Sequence, residues 1–79
     1  MTYLISYDIR SPGKDYTKLL NSIAALTNPR RVLRSCWIVE SEMSAAALHG
    51  SLLSHTDPND RLLVCQVNEF CSSNLIPTT

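Results

Sequence analysis

Glycine is scarce in this chain. The 79 residues hold two, and neither belongs to a glycine-rich run that could cradle a phosphate, so loops of the P-loop and dinucleotide-binding kind are excluded. Cysteine is sparse and odd in number. Cys36, Cys65 and Cys71 include no closely spaced pair of the type that binds zinc or exchanges a dithiol. Cys36 and Cys65 lie inside apolar runs, where a thiol behaves as a small hydrophobe. No apolar stretch approaches the roughly 20 residues needed to cross a bilayer, and no basic region followed by a long apolar segment marks a secretion signal. A reduced, cytoplasmic protein away from the membrane is therefore expected. His49 and His55 have no partner at metal-ligand or catalytic spacing, and no serine or cysteine triad can be argued from spacing. Internal repeats and low-complexity tracts are missing too.

Excess charge is also lacking. Seven basic residues balance seven acidic ones, whereas nucleic-acid binding is usually driven by surplus positive charge. The charge is unevenly distributed, however. Residues 1–39 carry six cations against Asp8 and Asp15, a net +4, and residues 40–79 carry Arg61 against five acids, a net −4. This asymmetry marks either a basic binding face or two halves that attract each other within the fold or across a dimer. A hydrophobic fraction of 44% is ordinary for a folded domain and argues against disorder. So short a chain builds a thin core, for which oligomerisation is a common remedy.

The pattern predicts six elements. Tyr3 to Ile9 is a β-branched and aromatic strand with apolar residues on both faces, as in a central strand. Ser11-Pro12-Gly13 breaks it. Tyr16, Leu19, Leu20, Ile23 and Ala24 form a helical stripe within Asp15 to Leu26, with Asp15 suited to the N-terminus and Asn28-Pro29 ending the helix. Arg31 to Ser41 reads as two short strands around a turn at Arg34-Ser35, because 11 residues is long for one strand here. Ser44 caps a second helix to Leu53, striped by Ala45, Leu48 and Leu52. After a turn-rich loop from His55 to Asp60, Arg61 to Val67 forms the last strand, again apolar on both sides and so expected in the sheet interior. The order β-α-β-β-α-β specifies an α+β, ferredoxin-like fold: a four-stranded antiparallel sheet with both helices on one face. The expected domain covers residues 1–68. Residues 69–79 form a tail with Phe70, Leu75 and Ile76 as its large apolar residues, suited to contacting a dimer partner or closing over its own sheet. The bare sheet face calls for a cover, and a second copy is the economical one.

Asp8 is the first candidate for chemistry. A carboxylate where an apolar strand meets solvent suits a hard cation such as magnesium, and two copies across a two-fold axis would supply two carboxylates. The plain alternative is an aspartate that ends a strand and bonds the turn at Arg10-Ser11. Arg30, Arg31 and Arg34, joined by Arg10 and Lys14, match phosphate oxygens by their bidentate forks, or simply keep a strand end solvated and free of aggregation. Ser35 is a phosphate donor or a turn residue. Trp37, Tyr3 and Tyr7 stack bases or, as aromatics more often do, fill a core or a dimer contact.

Three segments resemble the small CRISPR-associated "protein two" family and its free-standing SinR-like and VapD-like relatives. They are Tyr3-Leu4-Ile5-Ser6-Tyr7-Asp8-Ile9, the run from Arg31 through Ser35-Cys36-Trp37-Ile38-Val39 to Ser41, and the run from Asn59-Asp60 to Val67. Pro12-Gly13-Lys14-Asp15-Tyr16, Ser35-Cys36-Trp37-Ile38-Val39 and the Asn59-Asp60 loop are most similar to the SinR-like branch. The resemblance spans about residues 2–67 and implies a ferredoxin-like homodimer. It makes Asp8 a ligand of Mg2+ in a nuclease and Ser35 a functional position. It implies either a metal-dependent endoribonuclease acting on RNA, as in VapD-like toxins, or a non-catalytic adaptor that scaffolds DNA. In this chain, Asp8 and Ser35 are thus the expected catalytic residues, and Arg10, Arg31 and Arg34 the expected nucleic-acid contacts. An antitoxin-like or immunity-type module with a protein partner belongs to the non-catalytic reading. The chain departs from the family pattern in its short C-terminal part and its neutrality, which weigh against strong duplex-DNA binding.

Overall fold

The computed structural model describes residues 1–10, 15–69 and 73. Its elements are β1 (Thr2–Asp8), α1 (Thr17–Ala24), β2 (Thr27–Leu33), β3 (Cys36–Glu40), α2 (Ala45–Leu53) and β4 (Arg61–Gln66). The strands form one antiparallel sheet in the order β2-β3-β1-β4. This is the ferredoxin-like α+β arrangement expected from the element order. The break at Ser11-Pro12-Gly13 and all of the tail but Glu69 and Ser73 lie outside the described residues. Among the described residues no helix is long and apolar enough to cross a membrane.

β1 organises the sheet because it is apolar in both directions. Strand alternation sends Tyr3, Ile5 and Tyr7 to one side, where they bury with Leu19 and Ile23 of α1, Val39 of β3, and Leu48 and Leu52 of α2. Both helices therefore cover one face. The buried tyrosines keep their polar tips satisfied. The Tyr3 hydroxyl donates to the Met43 carbonyl at 2.7 Å, and the Trp37 indole donates to the Tyr7 hydroxyl at 3.2 Å. These aromatics belong to the core and its margin.

The opposite side holds a second cluster. Leu4 lies opposite Ile38, and Ser6 opposite Cys36, so these residues face away from the helices. Val32, Cys36 and Ile38 are buried there, with Leu4 packed against them. One chain alone therefore buries the β2–β3 half of this face. The β4 half is more open, and Leu63 is 55% exposed. Burial raises the Cys36 thiol pKa above its usual value, and Cys65, on the same face across β1, adds to the shift.

Several boundaries moved for local reasons. α1 begins at Thr17 rather than Asp15, since the Asp15 carboxylate accepts from both the backbone N–H and the hydroxyl of Thr17. The hydroxyl bond is the leading cause that holds the Asp15 pKa below the usual carboxylate value. Asn28-Pro29 does not mark the end of α1 but lies inside β2. Asn28 adopts a positive φ of 48°, the pairing with β3 shifts between Thr27 and Arg30, and the Asn28 amide donates to the Glu40 carboxylate. Asparagine tolerates that backbone, and proline is tolerated because β2 is an edge strand. The turn at Arg34-Ser35 and the Ser44 cap on α2, which accepts from the Ala47 N–H at 3.1 Å, are as the pattern predicts. β4 is an edge strand rather than an interior one. Its apolar residues on one side pack toward the helices, Leu62 and Val64 among them, and Leu63 on the other is left in solvent.

Candidate phosphate-binding end of the sheet

Antiparallel pairing brings three chain segments to the same end of the sheet: the end of β1, the β2–β3 turn and the start of β4. Asp8 is paired with Arg61 in the β1–β4 register. The Tyr7 N–H donates to the Ser35 carbonyl at 3.0 Å, which fixes the turn beside the end of β1. Asp8, Arg10, Arg34 and Ser35 are exposed there. Residues 26 positions apart in the sequence, Asp8 and Arg34, thus share one edge through topology alone.

Asp8 continues the side of β1 that carries Leu4 and Ser6, away from the helices. Arg61 Nη1 lies 3.8 Å from its carboxylate, and the two side chains are 71% and 59% exposed. An ion pair in that much water is worth at most about 1 kcal/mol, so it leaves Asp8 available to a competing partner. A shallow depression of ≈ 190 Å³ opens beside it, lined by Ser6, Tyr7, Asp8, Arg61, Leu62 and Leu63. Among the described residues no three His, Cys, Asp or Glu side chains converge as a metal cage. A lone exposed carboxylate fits magnesium only in its usual mode, held by one or two carboxylates with water and substrate phosphate completing the shell.

Arg31 does not join Asp8. It lies opposite Trp37 in the β2–β3 register, and Trp37 packs with the core under the helices. Its guanidinium donates through Nε to the Arg34 carbonyl at 2.9 Å, with a second bond from Nη2, and sits 5.8 Å from the Trp37 ring centre. Arg31 therefore staples its own hairpin. Arg30 lies opposite Ile38 on β3, on the face away from the helices, and lines a larger cleft of ≈ 690 Å³ with Glu40 and the Asn28-Pro29 bulge.

The sequence reading missed Asp60, Tyr16 and Arg61. The Asp60 carboxylate accepts from the Arg10 backbone N–H at 2.8 Å, from the Tyr16 hydroxyl at 2.8 Å and from the Asp57 N–H at 2.8 Å. It buckles the segment after β1 to the residue preceding α1 and to the loop before β4. Arg10 and Arg61 then flank a polar pocket of ≈ 500 Å³ with Pro58, Asn59 and Asp60. One signal was available for Arg61. In this topology the first residue of the fourth strand must sit beside the last residue of the first.

No protein-family model matches the chain, and no curated protein matches it in sequence.

Proposed function

We propose that this chain is a homodimeric nucleic-acid-processing protein of the metal-dependent endoribonuclease type, binding an RNA backbone at the β1/β4 end of its sheet. The observation that carries the reading is the gathering of Asp8, Arg10, Arg34, Ser35 and Arg61 at one end, with Asp8 exposed to solvent. The arginine forks hold phosphate oxygens bidentately, and the Ser35 hydroxyl donates to the same group. Arg31 contributes by holding the turn that presents Arg34. A neutral chain with Arg10, Arg34 and Arg61 at one end of its sheet suits a single strand better than a long duplex. Two copies meeting across the open sheet face bring a second Asp8 to complete the pair. Magnesium, when bound, supplies Lewis acidity and a water of lowered pKa.

The test is cleavage of end-labelled RNA with and without Mg2+, comparing wild type with Asp8→Asn. Magnesium-dependent cleavage is expected, reduced on the order of a hundredfold by the substitution, as loss of charge stabilisation at a transition state would do. Equal cleavage by the variant overturns the mechanism.

A second reading, the non-catalytic adaptor, is favoured by one specific feature: Asp8 already has Arg61 as its counter-ion. On that reading the same edge holds nucleic acid uncut or docks a protein. RNA retention without cleavage, or a single stoichiometric protein masking Asp8 in a pull-down from the native host, distinguishes it.

A further inference from the structure

We infer that the pocket between Arg10 and Arg61 is a binding site for a phosphate monoester, and that Asp8 controls it by competing for Arg61. The inference deepens the reading above, which supplies the kind of anion; the pocket itself rests on geometry. Arg61 lines two concavities at once. On one side it borders the depression around Asp8, and on the other it borders the polar pocket shared with Arg10 and Asn59. Its contact with Asp8 is long, at 3.8 Å, and solvent-exposed, so Arg61 can change partner at little cost.

The pocket is built to receive an anion once that change is made. Arg10 is held in place by its own backbone, whose N–H is bonded to Asp60 at 2.8 Å. The Asp60 carboxylate also lines the pocket, but its oxygens accept from Arg10, Tyr16 and Asp57. Asn59 adds a neutral amide that donates without carrying charge. A volume of ≈ 500 Å³ falls inside the range of about 300–1,000 Å³ typical of small-molecule sites, enough for a phosphate with an attached nucleoside. Pro58 lends an apolar surface at the rim.

Charge makes the site conditional. Among the described residues that line the two concavities, Arg10 and Arg61 face Asp8 and Asp60, with Asp57 bonded behind Asp60 through its N–H. A cation on Asp8, or an amide in its place, removes one carboxylate and frees Arg61. The described lining of the pocket then sets Arg10 and Arg61 against Asp60 alone, with two forks converging on one phosphate. Occupation of Asp8 and capture of the phosphate are thus coupled through one side chain.

The experiment titrates the full chain, without metal, with inorganic phosphate, adenosine 5′-monophosphate and a 5′-phosphorylated hexaribonucleotide. Heat is followed by calorimetry and the Arg10 and Asn59 amides by NMR. Asp8→Asn is expected to bind phosphate about fivefold more tightly than wild type, because a like charge has gone and Arg61 is released. Arg61→Ala in the Asp8→Asn background is expected to lose about tenfold, the loss of a charge-assisted donor. Asn59→Ala, in a surface turn, gives a smaller loss and serves as a variant independent of the sheet. Preference for the hexaribonucleotide over the mononucleotide assigns the pocket to a strand end, and equal affinity assigns it to a free nucleotide. Unchanged or weaker binding by Asp8→Asn, or full affinity after removal of Arg61, overturns the inference. Neither readout needs turnover. If RNA stays uncut while Asp8→Asn gains affinity, the nuclease reading falls and the pocket stands. If RNA is cut but phosphate ignores Arg61, the pocket alone falls.

Discussion

Asp60 shows how one carboxylate can decide where several others work. Among the described residues its donors come from the end of β1, the residue before α1 and the loop before β4, so the flanks of Asp8 are set by a residue that lies outside the two strands' register. Among the described donors the Tyr16 hydroxyl is the side-chain one, and it bonds a charged acceptor. Tyr16→Phe is expected to cost about 1.5–3 kcal/mol, the range for hydrogen bonds to charged groups, as read from urea unfolding. A loss below about 0.5 kcal/mol, typical of an unremarkable surface change, would show that the buckle does not depend on this bond. Arg31 makes the complementary point. A guanidinium that looks free in sequence is drawn to the Arg34 carbonyl beside the face of Trp37, and so supports the hairpin rather than a ligand.

α2 is the element with most room for improvement. Its start is well made, with the Ser44 side chain receiving the Ala47 N–H, and Leu48 and Leu52 bury fully against the sheet. Its middle contains Gly50, where a Cβ would meet nothing within 4 Å. Glycine in a helix interior costs roughly 1 kcal/mol relative to alanine through backbone entropy. Gly50→Ala is therefore expected to raise the melting temperature by about 4–8 °C, as expected for 1 kcal/mol in a domain of this size. No gain in calorimetry would mean that the site strains the new methyl. β2 shows the opposite economy. Its Asn28-Pro29 bulge weakens an edge strand that would otherwise invite pairing with another chain.

At the scale of the whole molecule, the sheet is buried on both sides but unequally. The helix face is closed by a single core. The other face is closed around Val32, Cys36 and Ile38 and open near Leu63. If a second copy covers that opening, Leu63→Glu places a charge in the contact. Sedimentation is then expected to show a wild-type dimer and a monomeric variant with an unchanged circular dichroism spectrum. A wild-type monomer at high micromolar concentration removes the paired Asp8 carboxylates from consideration and leaves the single-chain phosphate pocket untouched.

Much of the fold was legible in the residues themselves. The stripe from Tyr16 to Ile23, the Ser44 cap, the turn at Arg34-Ser35 and the two-sided apolar character of β1 are local signals. Each is written by side-chain periodicity or backbone preference within a few residues, and together they determine the βαββαβ order. Asp8 was legible as a polar residue closing an apolar strand. Tertiary structure decided the rest, because it depends on distance rather than order. Strand pairing put Arg61 beside Asp8 from 53 positions away. It placed β4 at the sheet edge, where its apolar pattern alone suggested the interior. It held the exposed Arg31 against its own hairpin and joined Asp60 to Arg10 and Tyr16. A carboxylate's identity is local, but its counter-ion, its neighbours and its access to a ligand are set by which strands lie side by side.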